Sequence, residues 1–169
     1  MTTQKQIGPS FYDELVAYGG LIGAHFTWSS DGAIEFFSDT PTAVVAGVNA
    51  VYAAHNPATI PIELRVAQAL AVGLTITSTS TPAINGTYAV DSLSQSDIVA
   101  IEASLNAGKG FPGGSSSTFS YPDMSGALHG FSEANFTNFA AAVRDYVYAL
   151  KAAVPAKASM LPSAIVTIA

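Results

Sequence analysis

Between Phe119 and Val154 the apolar positions change period once. Phe119 and Tyr121 alternate with Ser120, the run breaks at Pro122, Asp123 and Gly126, and the alternation resumes at His129 and Phe131. Period two on both sides of a turn predicts a β-hairpin. Further on, Phe136, Phe139, Ala140, Val143, Val147, Leu150 and Val154 recur at steps of three and four, which is one stripe of a helix. Ser132 stands at its N-cap position, Glu133 suits the positive end of the helix dipole, and Pro155 stops it. A long helix over about 133–154 follows. Burying the six larger side chains of its stripe is worth roughly 1.5 to 3 kcal/mol each, so it must lie on something.

The earlier chain repeats the same vocabulary. Polar residues Met1 to Gly8 read as an arm ordered only by a partner. Phe11, Leu15, Val16 and Tyr18 predict a short helix ending at Gly19-Gly20. Phe26 and Trp28, then Ile34 and Phe36, flank Ser30-Asp31-Gly32. A two-residue loop there would set Trp28 opposite Glu35; a three-residue loop with Gly32 in a left-handed conformation sets Trp28 opposite Ile34, and the second is preferred. Asp39 or Thr40 caps a helix with Pro41 at its first position and Val44, Val45, Val48, Val51 and Tyr52 on its buried face. A third helix spans Ile62 to Val72. Leu74 to Thr79 and Thr87 to Val90 pair as a second hairpin. A fourth helix starts at Ser94, with Asp97 three residues on, and ends at Gly108. Ile165, Val166 and Ile168 lie beyond Pro155 and Pro162 and suit a strand added to a neighbour's sheet, with pairing to the chain's own sheet as the other reading.

The fold class expected is α+β: short antiparallel β-hairpins packed by amphipathic helices. Three regions result: a helix, hairpin and helix unit over 1–56, a hairpin and helix domain over 62–154, and an extended arm over 155–169.

Composition sharpens this. Only 11% of the 169 residues are charged, against roughly 25% in an average soluble domain. Such a surface is rich in small polar residues or is covered by partners. A net charge of −6 with six Lys and Arg argues against nucleic acid. No apolar run approaches the roughly 18 residues of a membrane span, and the start lacks a signal-peptide pattern. Without cysteine, disulfides, thiolate metal sites and a thiol nucleophile are excluded.

Catalytic chemistry finds little support. Asp13, Glu14, Asp39, Glu63, Asp97 and Glu133 sit at predicted helix starts and Asp31 in a turn, leaving Glu35, Asp91, Glu102, Asp123 and Asp145 without a structural role. Their spacing brings no pair together as a glycosidase requires. His25, His55 and His129 fall on separate elements, with no metal-binding spacing, and read as turn or surface residues. No serine lies in a Gly-x-Ser-x-Gly elbow, and Gly108-Lys109-Gly110 ends a helix where a phosphate loop would begin one. No cofactor is expected and no enzymatic role. One cluster remains, Phe119, Tyr121, Asp123, His129 and Phe131. Its rings either roof the long helix or face a partner or glycan.

The words Phe111-Pro112-Gly113-Gly114, Phe119-Ser120-Tyr121-Pro122-Asp123 and Leu128-His129-Gly130-Phe131, with the Ala/Val/Tyr-rich helix to Leu150, resemble a domain of unknown function in bacteriophage and prophage proteins. It usually lies at the C-terminal end of tail-fibre or tail-associated chains. Gly73 to Thr79, Asn85 to Val90, Trp28 to Phe36 and Val51 to Pro57 resemble the same group, whose members often carry Trp where Tyr121 stands. The resemblance implies a structural virion protein of the tail or tail fibre, made in the host bacterial cytoplasm. It would be multi-copy or homo-oligomeric and packed against other virion proteins, with Ile165, Val166 and Ile168 as an assembly arm. A tail-fibre assembly chaperone and a host-glycan-binding or glycan-cleaving receptor module are the alternatives.

Overall fold

In the computed structural model, which describes residues 5–21, 25–114 and 117–169, the chain folds as two units, Met1–Pro61 and Ile62–Ala169. The class is α+β. The division falls between Pro61 and Ile62, with residues 57–61 counted in the first unit and residues 155–169, expected as a separate arm, in the second.

The first unit contains α1 (Phe11–Tyr18), β1 (Phe26–Trp28), β2 (Ile34–Phe36) and α2 (Thr42–Ala54). Phe26 faces Phe36 and Trp28 faces Ile34 across the antiparallel pair, the register of the three-residue loop. Gly32 is needed there twice over. Its φ is 99°, and a Cβ would lie 2.0 Å from the carbonyl oxygen of Lys5. The segment before α1 crosses this loop so closely because it is hydrogen-bonded in place, with the Ile7 amide donating to the Ser30 carbonyl at 3.0 Å. Lys5 Nζ donates to the carbonyls of Tyr52 and Ala53 at 3.1 and 3.0 Å, supplying a cation to the negative end of α2. Residues 5–8 are therefore part of the unit's own packing, contrary to the free arm expected; Met1 to Gln4 lie outside the described residues.

Phe11 and Leu15, one turn apart on α1, are fully buried with Val48 of α2. Val16 and Tyr18 on the same helix are exposed, because a two-turn helix on a small core offers only one face. The capping expectation for α2 also changes. Pro41 occupies the N-cap position without a side-chain bond, and the Thr40 hydroxyl donates to the His25 carbonyl instead.

The second unit contains α3 (Ile62–Val72), β3 (Leu74–Ser78), a 3-10 turn (Pro82–Ile84), β4 (Gly86–Tyr88), α4 (Ser92–Asn106), β5 (Thr118–Pro122), β6 (Leu128–Ser132), α5 (Glu133–Ala153) and β7 (Ile165–Ile168). A three-stranded sheet runs β4-β3-β7, and β5 and β6 form a separate hairpin. The tail does not extend as an assembly arm. Ile165, Val166 and Ile168 lie on β7, which pairs parallel with β3 from Thr75↔Ile165 to Ser78↔Ile168. Arg65 of α3 donates to the Ser159 carbonyl at 2.9 Å, holding the segment that leads there.

Helix α5 is the hub, packed on α3, α4, β3, β6 and β7. Ser132 caps it as expected, accepting from the Asn135 amide. Helix α4 starts earlier than predicted. Asp91, not Ser94, is its N-cap, accepting from the Leu93 and Ser94 amides at 2.9 and 3.0 Å. That shift frees Asp97 from any capping role.

Candidate functional site

The predicted hairpin places its five candidate residues together, but not as an open surface. Tyr121 faces His129 and Phe119 faces Phe131 across β5 and β6, so period-two alternation puts all four on one side. That side meets α5. Phe131 is fully buried and Tyr121 is 9% exposed. Tyr121 lies edge-on to Phe136 at 5.8 Å between ring centroids, and Phe131 lies 5.2 Å from Phe139. Phe119 is half-buried and stacks on Phe111 at 5.4 Å. These rings form the roof of the core, the first of the two readings offered by the sequence.

Asp123 and His129 close the tip. One carboxylate oxygen of Asp123 accepts from the Ser125 amide and hydroxyl at 2.8 and 2.6 Å and from the Ala127 amide at 2.9 Å. The other oxygen lies 3.1 Å from His129 Nε2. On its far side, His129 Nδ1 lies 2.8 Å from the Ala83 carbonyl. A carbonyl and a carboxylate both only accept, so the arrangement asks for a proton on each ring nitrogen, the imidazolium form. The pair ties the hairpin tip to the 3-10 turn, and the Met124 amide adds a bond to the Thr87 carbonyl at 2.8 Å. Gly86 of β4 lies beneath, where a Cβ would come 3.1 Å from Nε2 of His129 and 3.3 Å from Oδ2 of Asp123.

These bonds shift both titrations. The Ser125 hydroxyl, with help from His129 and the Ala127 and Ser125 amides, holds Asp123 at about 2 against the opposing effect of burial. The Ala83 carbonyl, then Asp123, raises His129 above its ordinary 6.5, again against burial. A lowered carboxylate stabilises the fold above its ordinary 3.8 and loses that stabilisation as pH falls toward 2. A raised histidine stabilises fully below 6.5 and ceases to do so as pH climbs through its folded value. Melting temperature against pH should therefore show a limb of declining stability above pH 6.5 that is flattened in both His129→Gln and Gly86→Ala. An unchanged limb in both variants would remove the ion pair from the account of stability.

The first unit holds a network that the sequence did not reveal. Ser10 Oγ donates to Glu14 Oε1 at 2.8 Å, Glu14 Oε2 lies 2.8 Å from His55 Nδ1, and His55 Nε2 accepts from the Gly8 amide at 2.9 Å. His55 is 2% exposed, a buried residue rather than the turn or surface residue expected. The three residue types are those of a hydrolase, but their order is wrong for one. A nucleophilic serine needs the imidazole beside it and the carboxylate behind. Here the carboxylate sits between serine and histidine, and the free face of the imidazole is occupied by a backbone amide. Spacing offered no signal for this, since Glu14 and His55 lie 41 residues apart.

The remaining carboxylates have mixed employment. Asp91 caps α4. Glu102 accepts from Thr137 and Asn106 at 3.1 and 3.2 Å, and Asp145 pairs with Arg144 on the surface. No group of three His, Cys, Asp or Glu suited to a metal ion occurs among the described residues.

Two concavities mark the second unit. A groove of about 450 Å³ between α4 and α5 is walled by Ile98, Val99, Ala103, Ala140 and Tyr148, with Glu102, Arg144 and Lys151 among its polar residues. A second, of about 520 Å³, lies between α4 and β5 and includes Asp97, Phe119 and Tyr121. Comparison with protein-family models, with curated proteins and with solved structures finds no match.

Proposed function

We propose that the chain is a non-enzymatic structural component of a bacteriophage virion, in the tail or tail-fibre region, acting through protein–protein packing. The observation that carries the packing role is the outer surface of the helices. On a chain with 11% charged residues, Val16 and Tyr18 of α1, Val99 of α4 and Tyr148 of α5 each stand more than half exposed, the apolar surface that a multi-copy assembly covers. The hairpin contributes by the rigidity of its tip, where Asp123, Ser125 and His129 are hydrogen-bonded within the fold. The virion setting rests on the resemblance of the hairpin and helix words to phage tail-associated chains. Tyr121 and Phe131, two of the five residues on which a glycan-receptor role would rest, are nine-tenths or more buried, which favours the packing role.

The test is quantitative mass spectrometry of purified particles. A structural part is present at a fixed ratio to the major tail protein, at the copy number of a symmetric ring or fibre set. Abundance in the lysate with absence from finished particles would overturn the proposal in favour of an assembly chaperone.

A further inference from the structure

The concavity between α4 and β5 has a chemistry of its own. Its apolar wall is made by Ala100, Ile101, Pro112 and Phe119, and among the described residues no Lys, Arg or His lines it. Its polar side is built from groups that mainly accept. Asp97, released from the helix start by the Asp91 cap, is exposed on α4 and meets no hydrogen-bond partner among the described residues. Tyr121 is more than nine-tenths buried, yet its residue lines the pocket and its hydroxyl likewise meets no partner among the described residues. Burial first, then the charges of Asp97 and Asp91, push that phenol's pKa up, so it keeps its proton and faces a negative field. Asp123 also lines the pocket, but its charge is answered by His129.

We infer that this pocket receives a basic side chain, Arg or Lys, presented by a partner protein, with the cationic head between the Asp97 carboxylate and the Tyr121 hydroxyl. The alkyl stem would lie along Ala100, Ile101 and Pro112, as long basic side chains do on apolar surface, and the half-buried ring of Phe119 offers a π face to the charge. A neutral sugar fits less well, because it needs donors as well as acceptors around its hydroxyls and, among the described lining residues, the Tyr121 hydroxyl is the one side-chain donor without an internal partner. At about 520 Å³ the pocket lies within the roughly 300 to 1,000 Å³ of ligand sites. The inference stands on this chemistry whether or not the chain is a virion part.

The experiment is a ¹H–¹⁵N NMR titration of the full chain with Nα-acetyl-arginine amide and Nα-acetyl-lysine amide, with maltose as the neutral comparison. Saturable shifts are expected at the amides of Ser94, Asp97, Ala100 and Tyr121 with at least one basic probe, weakened by added salt. Asp97→Asn should weaken binding by about fivefold or more, and Tyr121→Phe should weaken it while retaining the ring packing. The Asp97 side chain makes no hydrogen bond among the described residues, so its variant keeps the spectrum of a folded chain. Absence of saturable shifts with either basic probe, equal shifts with maltose, or binding indifferent to Asp97→Asn would each overturn the assignment.

Discussion

Removal of residues 163–169 is expected to destabilise the second unit by roughly 3 to 5 kcal/mol rather than release a dispensable arm. Ile168 is 9% exposed and Val166 packs on the same core; burial of the first alone is worth roughly 1.5 to 3 kcal/mol. The loss goes further than those two side chains. Strand β3 is central in its sheet, and its Leu74 and Ile76 are fully buried. Without β7 it becomes an edge with unpaired amides and carbonyls, the kind of surface that pairs with another chain. Thermal melts followed by circular dichroism, with light scattering in parallel, should show a lowered transition and concentration-dependent aggregation. A truncated chain that melts where the full one does and stays monomeric would restore the free-arm reading of the tail.

Phe139→Ala should cost the same unit about 3 to 5 kcal/mol, the usual penalty for hollowing out a buried aromatic. Phe139 is fully buried, and four rings from three other elements and its own helix surround it. Tyr88 lies at 4.8 Å, Phe131 at 5.2 Å, Phe136 at 5.6 Å and Tyr121 at 5.8 Å between centroids. No single neighbour can move into the space without leaving another ring's edge contact. Phe139→Leu, which leaves a smaller void, should cost clearly less. In urea titrations the transition of the second unit should move to lower denaturant, and that of the first, which has its own core of Phe11, Leu15 and Val48, should stay in place. A shift of less than about 1 kcal/mol for the alanine variant would show that the ring cluster repacks freely.

Local chemistry was legible in the sequence wherever it alone decides the structure. The bounds of α3, the register of the first hairpin and the Ser132 cap of α5 follow from period, turn residues and capping types. What tertiary packing decides was hidden. Helix α5 buries nine positions, including Ala142, Tyr146 and Ala153 outside the predicted stripe, because it is packed on more than one side and a single stripe is too narrow a template. Ser94 and Asp97 imitate a capping pair well enough to conceal Asp91, whose own rank depends on where the chain leaves β4. The tail shows the same limit. A tetrapeptide of β-branched residues, Ile165 to Ile168, states that it will be a strand and says nothing of whose sheet it joins.

Among the candidate residues, spacing brought Phe119, Tyr121, His129 and Phe131 to one face correctly, but exposure was not in the pattern. Which side of a hairpin faces water depends on the helix that follows and on Tyr88 from β4, elements that alternation within the hairpin does not mention. Burial of His55 was equally invisible, since its partners Glu14 and Gly8 come from the other end of the unit.

The parallel pairing of β3 with β7 also bears on the order of folding. Thr77 and Thr167 meet across a separation of 90 residues, and α4, the β5–β6 hairpin and α5 all lie within the loop that this contact closes. Closing so long a loop is entropically costly and returns nothing until the strands register. Refolding of the second unit should therefore gain its helices and both of its hairpins early and β7 last, that strand sealing a core already assembled beneath it.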